Sequence, residues 1–382
     1  MSDTPLTQAL KGLDSLPFHM PGHKRNTALL GSASPWSMDI TELSGFDNLY
    51  NPDGVLLDLM RRAAALWNSK ASYISVNGST GAILAGIRAM TRQGDKILAA
   101  RNCHMSVFHA MELCGLRPVF LEPEWLPAWG IYGKITQETV DQALAGHPDA
   151  ALCVVTSPTY EGVQSEIICP IPLFIDAAHG AHLPSPKADL ACVSTHKTLP
   201  ALTQTALLHV MSERVDIPRL ERQLRIFQTS SPSYILMASI EQCVALLERE
   251  RGALFAAWNR RLDEFYSHAR QWKNLRLFQP GEHSLWDRSK ILLHCGTGVE
   301  EFLRTHRIEP EYIRHGNALF LTSPCDSNDM MRALANALDE LDARLPATEP
   351  PSYPRPPQFS SIHLMGNSQF SIEFPPGIPM PS

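Results

Sequence analysis

The sequence predicts an α/β fold, in which a mostly parallel sheet carries helices on both faces and a small α+β domain follows. Short apolar runs alternate with segments of helical periodicity over the first two thirds of the chain. The run 151–156 is apolar without interruption, as strands buried on both faces are. A long, charged helical stretch over 237–272 then separates this region from a shorter one.

The expected elements follow one another in the order that such a sheet needs. Strands are predicted at 73–76, 96–99, 118–121, 151–156, 173–176, 190–194 and 205–210. Helices are predicted at 58–67, 82–90, 106–114 and 136–145. No helical pattern lies between 156 and 173, so we expect a loop there, although parallel crossovers usually contain a helix. The small domain is predicted from strands at 290–294 and 318–322 and a helix at 329–344.

Composition excludes several classes of protein. The chain has 382 residues, 44% of them apolar, and a net charge of −6, which predicts a large core and argues against nucleic acid as the main partner. No apolar run reaches about 18 residues and the first residues lack a secretory pattern, so we expect a cytoplasmic protein that does not contact the membrane. The eight cysteines form no Cys-x-x-Cys pair, which predicts buried, reduced thiols and no metal site. Cys103 alone lies inside a polar motif, so its role stays open.

Polar residues follow several predicted strands, at the edge where α/β sheets bind ligands. Lys197 comes directly after a buried strand, where burial would lower the pKa of its amine and suit it to a Schiff base. Asp176 ends another apolar strand, where a protonated pyridine nitrogen would be a fitting partner. The alternatives are a solvated loop lysine and an aspartate that caps a helix.

Two further motifs belong to the same edge. The segment 78–81, Gly-Ser-Thr-Gly, precedes the predicted helix at 82 and offers amides and hydroxyls to a phosphate, unless it is an ordinary cap. His104 follows a strand and could stack on a flat ring, although a lone histidine is more often structural. Each motif is weak alone, but phosphate turn, histidine, aspartate and lysine occur together in this order.

These motifs resemble those of the short ornithine/lysine/arginine decarboxylases, which are fold-type I enzymes dependent on pyridoxal 5'-phosphate (PLP). The resemblance covers nearly the whole chain, and the motifs at 19–24 and 194–197 are specific to the family. The matching stretches are PFHMPGHK at 17–24, DITEL at 39–43, FDNL at 46–49, VNGSTG at 76–81, RNCH at 101–104, DAAHGAH at 176–182, STHKTLP at 194–200, TSSPSY at 229–234 and FPPGIP at 374–379.

The resemblance implies a role for each matching residue. Lys197 would hold PLP as a Schiff base, Asp176 would pair with the pyridine nitrogen, and His104 would stack on the ring with His179 beside it. Ser231 would reach the phosphate of the neighbouring subunit, which implies a homodimer, or a higher homo-oligomer, with shared active sites. The remaining phosphate-binding residues would be Ser79, Thr80, Gly81, Ser194 and His196.

The resemblance also divides the chain into four regions. An N-terminal segment, 1–55, would lie near the active site, and 56–272 would form the large PLP-binding domain. A small α+β domain would span 273–345, and a proline-rich arm would span 346–382.

The implied function is decarboxylation of arginine, lysine or ornithine to the amine and carbon dioxide, as in polyamine biosynthesis. Another PLP reaction, such as transamination or a lyase reaction, is an alternative, and Arg314 or Arg304 could then clamp a carboxylate. A non-catalytic PLP-binding homologue is a third possibility. The choice of substrate depends on an acidic residue that meets the distal charge. Candidates are Glu42, Asp47 and Glu373, each of which could instead be solvated at the surface.

Overall fold

The computed structural model describes residues 16–18, 47–279, 285–346, 351–356, 363–365 and 369–371. Within this part of the chain it contains a seven-stranded mixed sheet, a four-stranded antiparallel sheet and three two-stranded pairs. The motifs at 19–24, 39–43 and 374–379 lie outside the described residues, and so do Glu42 and Glu373.

Helices and strands are numbered in chain order. The strands are β1 Leu16–Phe18, β2 Ala71–Ser75, β3 Lys96–Ala100, β4 Arg117–Leu121, β5 Trp125–Leu126, β6 Ile131–Tyr132, β7 Ala150–Thr156, β8 Leu173–Asp176, β9 Leu190–Ser194, β10 Ala206–Val210, β11 Arg276–Leu277, β12 Lys290–His294, β13 Ile308–Pro310, β14 Tyr312–Arg314, β15 Asn317–Leu321, β16 His363–Met365 and β17 Gln369–Ser371. The helices are α1 Val55–Leu66, α2 Gly78–Met90, α3 Met105–Cys114, α4 Gln137–Gly146, α5 Thr195–Thr198, α6 Ile217–Phe227, α7 Tyr234–Ala269, α8 Val299–Thr305 and α9 Asn328–Arg344.

The large sheet confirms the predicted mostly parallel arrangement. Its strand order is β2-β10-β9-β8-β7-β3-β4, and β10 alone runs antiparallel to its neighbours. The register sets Thr156 of β7 beside Asp176 of β8, and Asp176 beside Cys192 of β9. Because parallel strands end at one edge, the residues that follow β3, β7, β8 and β9 meet there.

The connection between β7 and β8 contains no helix, which confirms the predicted loop. The loop instead contacts the segment that leads into the small sheet, where Val163 forms a β-bridge with Trp286. Asp287 N donates to Gly162 O over 2.8 Å. Gly162 has a φ of 96°, and a Cβ there would lie 2.9 Å from Asp287 O, so only glycine fits. The loop between β7 and β8 is therefore tied to the segment that leads into the four-stranded sheet.

Among the elements that differ from the prediction are two helices of the large domain. The helix expected at 82 begins at Gly78, so the Gly-Ser-Thr-Gly motif forms its first turn rather than preceding it. Glycine disfavours a helix by propensity, but a Cβ at Gly81 would lie 2.9 Å from Asn77 Cβ and 3.2 Å from Phe227 O, so close packing favours glycine at this position. Helix α6 was not predicted, although Asp216 caps it and Pro218 lies in its first turn, which are both signals of a helix start.

The four-stranded sheet has the order β11-β12-β15-β14 and is covered by α7 and α9. Trp258 and Leu262 of α7 and Leu334 of α9 are buried with the apolar residues of this sheet in one core, separate from the core of the large sheet. All eight cysteines are free and buried. Burial raises the pKa of the Cys103 thiol, so Cys103 is a packing residue like the others.

No helix in the described ranges combines the length and the apolar character that crossing a membrane requires.

Candidate active site

A cavity of about 310 Å³ lies where the parallel strands of the large sheet end. Thr156 and Asp176 come from the ends of β7 and β8, and Arg101 and Asn102 follow β3. The other side is formed by the hairpin β5–β6, by β14 and by Pro356 from the described part of the proline-rich arm. The cavity is therefore enclosed by both sheets and by residues from near the end of the described chain.

Lys197 enters this cavity from α5, the short helix that follows β9. Its side chain is nearly inaccessible, with the residue 9% exposed, and Nζ lies 2.8 Å from Nε2 of His179. Burial lowers the pKa of the Lys197 amine, and the negative charge of Asp176 only partly opposes this effect. A larger share of the amine is therefore neutral than in a solvated lysine, and the neutral amine is the nucleophilic form.

His179 lies in the turn after β8 and is buried. Burial, reinforced by the charge of Lys197, holds its pKa well below the ordinary value, so the imidazole is neutral. The ring of Tyr160 meets it edge-on, with centroids 4.6 Å apart. Nδ1 is buried without a hydrogen-bond partner within the described part of the chain. A neutral ring can accept a hydrogen bond from the Lys197 amine at Nε2 and so orient that amine in the cavity.

Asp176 is the last residue of β8 and is 1% exposed. Its Oδ1 accepts a hydrogen bond of 3.1 Å from Ala178 N. No helix follows directly, since the next element is β9, so the carboxylate does not cap one. A buried carboxylate that faces a cavity requires a cationic or hydrogen-bonding partner there.

His104 is the cap residue of α3 as well as part of the cavity wall. Its Nδ1 accepts from Ser106 N at 3.1 Å and lies 2.8 Å from Ser106 Oγ. Burial lowers the pKa of the ring. His104 can cap α3 and line the cavity at the same time, because the hydrogen bonds to Ser106 fix the orientation of its ring in the cavity wall.

Of the residues predicted to hold a phosphate, only Ser79 lines the cavity. Ser79, in the first turn of α2, lines the cavity. Ser194 Oγ is buried without a partner among the described residues, and His196 Nδ1 lies 2.9 Å from Thr205 O. Ser231 is exposed. The residues that do not line the cavity of the single chain are Thr80, Gly81, Ser194, His196 and Ser231.

A buried ionic cluster behind His179 was not predicted. Lys290 is 0% exposed, and its Nζ donates to His179 O at 3.1 Å and to Asp287 Oδ2 at 2.8 Å. His182 Nε2 lies 3.1 Å from Asp287 Oδ1. Burial alone would raise the pKa of Asp287, but His182 and Lys290 hold it well below the ordinary value. The sequence signal for this cluster was a lysine at the start of an apolar strand, which mirrors Lys197 at the end of one.

The structure also places the other charged candidates. Asp47 lies at the start of α1, outside the cavity wall, and its carboxylate accepts from the amides of Asp53 and Gly54. Burial opposes ionisation, but these backbone bonds lower its pKa to about 2, so Asp47 is a structural cap. Arg314 lines the cavity, whereas Arg304 is exposed and does not.

A scan against protein-family models identifies the family. Residues 4–290 match the model described as Orn/Lys/Arg decarboxylase, major domain. The chain belongs to the Orn/Lys/Arg decarboxylase family. This confirms the family inferred from the sequence motifs.

Individual relatives and solved structures agree with this assignment. The protein YaaO of Bacillus subtilis (strain 168) is 39% identical over 63% of this chain and 55% of its own length. An arginine decarboxylase of Bacillus anthracis is 30% identical over 89% of this chain and 77% of its own. The lysine decarboxylase LdcF of Francisella novicida superposes with a TM-score of 0.70 at 21% identity, over 85% of this chain and 57% of LdcF. The fold of this member of the Orn/Lys/Arg decarboxylase family is thus the fold-type I fold of PLP-dependent enzymes, as predicted.

Proposed function

We propose that this chain is a PLP-dependent decarboxylase that converts arginine, lysine or ornithine to the corresponding amine and carbon dioxide. The observation that carries the proposal is the buried Lys197 amine, 2.8 Å from His179 and in the same cavity as Asp176. The family and relatives named as arginine and lysine decarboxylases support the substrate class. Both features are needed, because the fold alone does not determine the reaction.

The groups around the cavity fit PLP. Lys197 offers an amine of lowered pKa to an aldehyde, and Asp176 offers a carboxylate to a pyridine nitrogen. His104 offers a ring face, and Ser79 lies in the first turn of α2, where free backbone amides favour a phosphate. We assign the remaining phosphate contacts to residues near this turn and, in a homodimer, to one from the neighbouring subunit. These are Thr80, Gly81, Ser194, His196 and Ser231.

When bound, PLP supplies an electron sink for the pair released as the bond from Cα to the carboxylate breaks. The side chains of this chain then have separate tasks. Lys197 would hold the cofactor covalently, and Asp176 would keep a proton on the pyridine nitrogen. His179 Nε2 would accept a hydrogen bond from Lys197 Nζ across 2.8 Å and so orient the amine. Phe108, Tyr160 and Tyr312 line the same cavity and would exclude water from the reacting carbon.

We further propose that 56–272 forms the PLP-binding domain, 273–345 the small domain and 346–382 an arm, with 1–55 near the active site, in a cytoplasmic homodimer. The separate cores of the two sheets support a division of the chain into a large and a small domain, and they place the C-terminal part of α7, with Trp258 and Leu262, in the core of the small sheet. Tyr353 supports the placement of the arm, since its backbone accepts a hydrogen bond of 3.0 Å from Trp125 Nε1 beside the cavity.

Transamination is the second candidate, because Arg314 lines the cavity and could clamp a substrate carboxylate. The products distinguish the two reactions: decarboxylation gives an amine and carbon dioxide, and transamination gives a keto acid. A non-catalytic homologue would bind PLP and give neither product.

The test begins with an absorbance spectrum of the purified protein with PLP, before and after borohydride. We expect a band near the visible edge that borohydride removes, and a labelled peptide that contains Lys197. Lysine, ornithine and arginine are then supplied separately, and carbon dioxide is measured. Release from at least one of them supports the proposal. A PLP band without carbon dioxide from any of the three would refute decarboxylation, and no band would refute PLP binding.

A further inference from the structure

Two carboxylates line the cavity among the residues that the structure describes. Asp176 lies at the end of β8, where its Oδ1 is held by Ala178 N. Glu161 lies in the loop between β7 and β8, the loop that replaces a crossover helix. Asp176 has a proposed task at the cofactor. Glu161 has none so far, although it faces the same space.

Glu161 lies in surroundings that favour a cation. The Tyr312 hydroxyl donates to its Oε1 over 3.0 Å. Burial raises the pKa of Glu161, and this hydrogen bond and the nearby Arg314 only partly oppose the effect. Desolvation of a carboxylate is costly, and the Tyr312 hydroxyl and the nearby Arg314 compensate for it only in part. A ligand cation would therefore gain more at Glu161 than at a solvated carboxylate.

A series of ring contacts along the cavity wall leads from Lys197 to Glu161. His179, which contacts Lys197, meets the ring of Tyr160 at 4.6 Å. Tyr160 in turn stacks on Tyr312, with centroids 5.8 Å apart and ring planes 13° from parallel. The sequence of contacts thus runs from the amine over an aromatic surface to the carboxylate. An aliphatic chain with an amino group at one end and a cation at the other matches this arrangement.

We propose that Glu161 binds the distal cation of the substrate and so selects basic amino acids over neutral ones. The inference rests on the proposed function, since it concerns the substrate of the same cavity. Asp47, a candidate from the sequence, is engaged at the start of α1 instead. Tyr312 positions the Glu161 carboxylate, and Tyr160 and Tyr312 contact the methylene groups of the substrate.

The experiment measures amine binding to the PLP-loaded protein by calorimetry, without turnover. The probes are cadaverine, putrescine and agmatine, which retain the distal cation, and n-pentylamine, which lacks it. We expect the unmodified protein to prefer at least one of the three basic amines to n-pentylamine. Glu161→Gln should weaken the binding of that basic amine by about tenfold or more, because a charge-assisted hydrogen bond is lost. Binding of n-pentylamine should not change.

Two variants control for structure. Glu161→Asp keeps the charge and should retain part of the preference. Glu166→Gln removes an exposed carboxylate from the same loop and should bind all four amines as the unmodified protein does. Equal weakening of n-pentylamine and the basic amines in Glu161→Gln would show a merely structural role. An absence of preference in the unmodified protein would also overturn the inference.

Failure of this inference is distinguishable from failure of the proposed function. If the unmodified protein releases carbon dioxide but Glu161→Gln leaves both KM and amine binding unchanged, the inference alone is wrong. If no basic amino acid yields carbon dioxide but the amine preference depends on Glu161, the reaction is wrong and the cation site stands. Where both hold, Glu161→Gln should raise KM for the basic substrate about tenfold, with a smaller effect on kcat.

Discussion

Lys197 and Lys290 are two buried lysines that contact the same histidine, one at its ring and one at its backbone. Lys197 Nζ meets the His179 ring at 2.8 Å, and Lys290 Nζ meets the His179 backbone carbonyl at 3.1 Å. Their other partners differ. Lys290 forms an ion pair of 2.8 Å with Asp287 and lies 3.2 Å from Ser289 Oγ. The hydrogen bond of Lys197 is to a neutral imidazole, and its amine faces the cavity.

This difference shows that the acceptors around a buried amine decide its role more than burial does. Beside Asp287, the Lys290 ammonium is compensated and ties the start of β12 to the turn after β8. At Lys197, burial lowers the pKa and the amine is available for covalent chemistry. Lys290 thereby fixes the backbone of His179, whose ring contacts Lys197.

The largest expected effect is on turnover. Lys197→Met should reduce carbon dioxide release below detection, because the amine proposed to hold the cofactor is gone. Lys290→Met should reduce carbon dioxide release less, because Lys290 acts only through the position of His179. Carbon dioxide release at saturating substrate measures both, with retained secondary structure checked by circular dichroism. Near-normal turnover in Lys197→Met would show that the Lys197 amine does not have the proposed covalent role.

The second effect is on stability. Lys290→Met should lower the free energy of unfolding by about 3–5 kcal/mol, because it leaves the buried Asp287 carboxylate without its cation. Denaturant unfolding at neutral pH measures this change. Lys70→Met is the matched control, because it breaks an exposed ion pair with Glu213 and should cost less than about 1 kcal/mol.

Two further observations would sharpen the result for Lys290. Asp287→Asn added to Lys290→Met should recover part of the loss, since it removes the uncompensated charge. In the unmodified chain the pKa of Asp287 is depressed, so its contribution is present above an ordinary aspartate pKa of about 3.9 and is lost as the pH falls below it. A loss in Lys290→Met no larger than in Lys70→Met would show that the cluster contributes little.

Local patterns predicted the elements that local residues determine. The strands Leu173–Asp176, Leu190–Ser194 and Lys290–His294 have the predicted bounds, because apolar runs flanked by turn residues mark them. The same reasoning predicted that Ser79, His104, Asp176 and Lys197 belong to one edge, and the family resemblance added His179. All five line the cavity. Their roles toward PLP stay predictions.

Long-range contacts account for what the sequence did not predict. Glu161 faces the cavity because its loop pairs with Trp286, far along the chain, and no periodicity reports such a bridge. Lys290 was placed at the start of a strand, but its burial depends on Asp287 and on the His179 carbonyl. Helix α2 likewise begins at Gly78 although glycine has low helix propensity, and Gly81 in its first turn lies close to Phe227 O, far along the chain.

The smallest expected effect has the opposite sign to that of Lys290→Met. In protein freed of PLP, Lys197→Met should raise the free energy of unfolding by about 1 kcal/mol at neutral pH. Folding lowers the pKa of Lys197, so the unfolded chain binds the proton more tightly and the native amine costs stability below the ordinary lysine pKa. The advantage of the variant should shrink as the pH rises toward about 10.4, where the unfolded lysine also loses its proton. Unfolding curves at several pH values measure this trend, with the exposed Lys187→Met as the control that should show none. If Lys197→Met destabilises the protein as Lys290→Met does, the difference between a carboxylate and an imidazole partner does not determine the effect of each lysine on stability. Burial alone would then explain both effects.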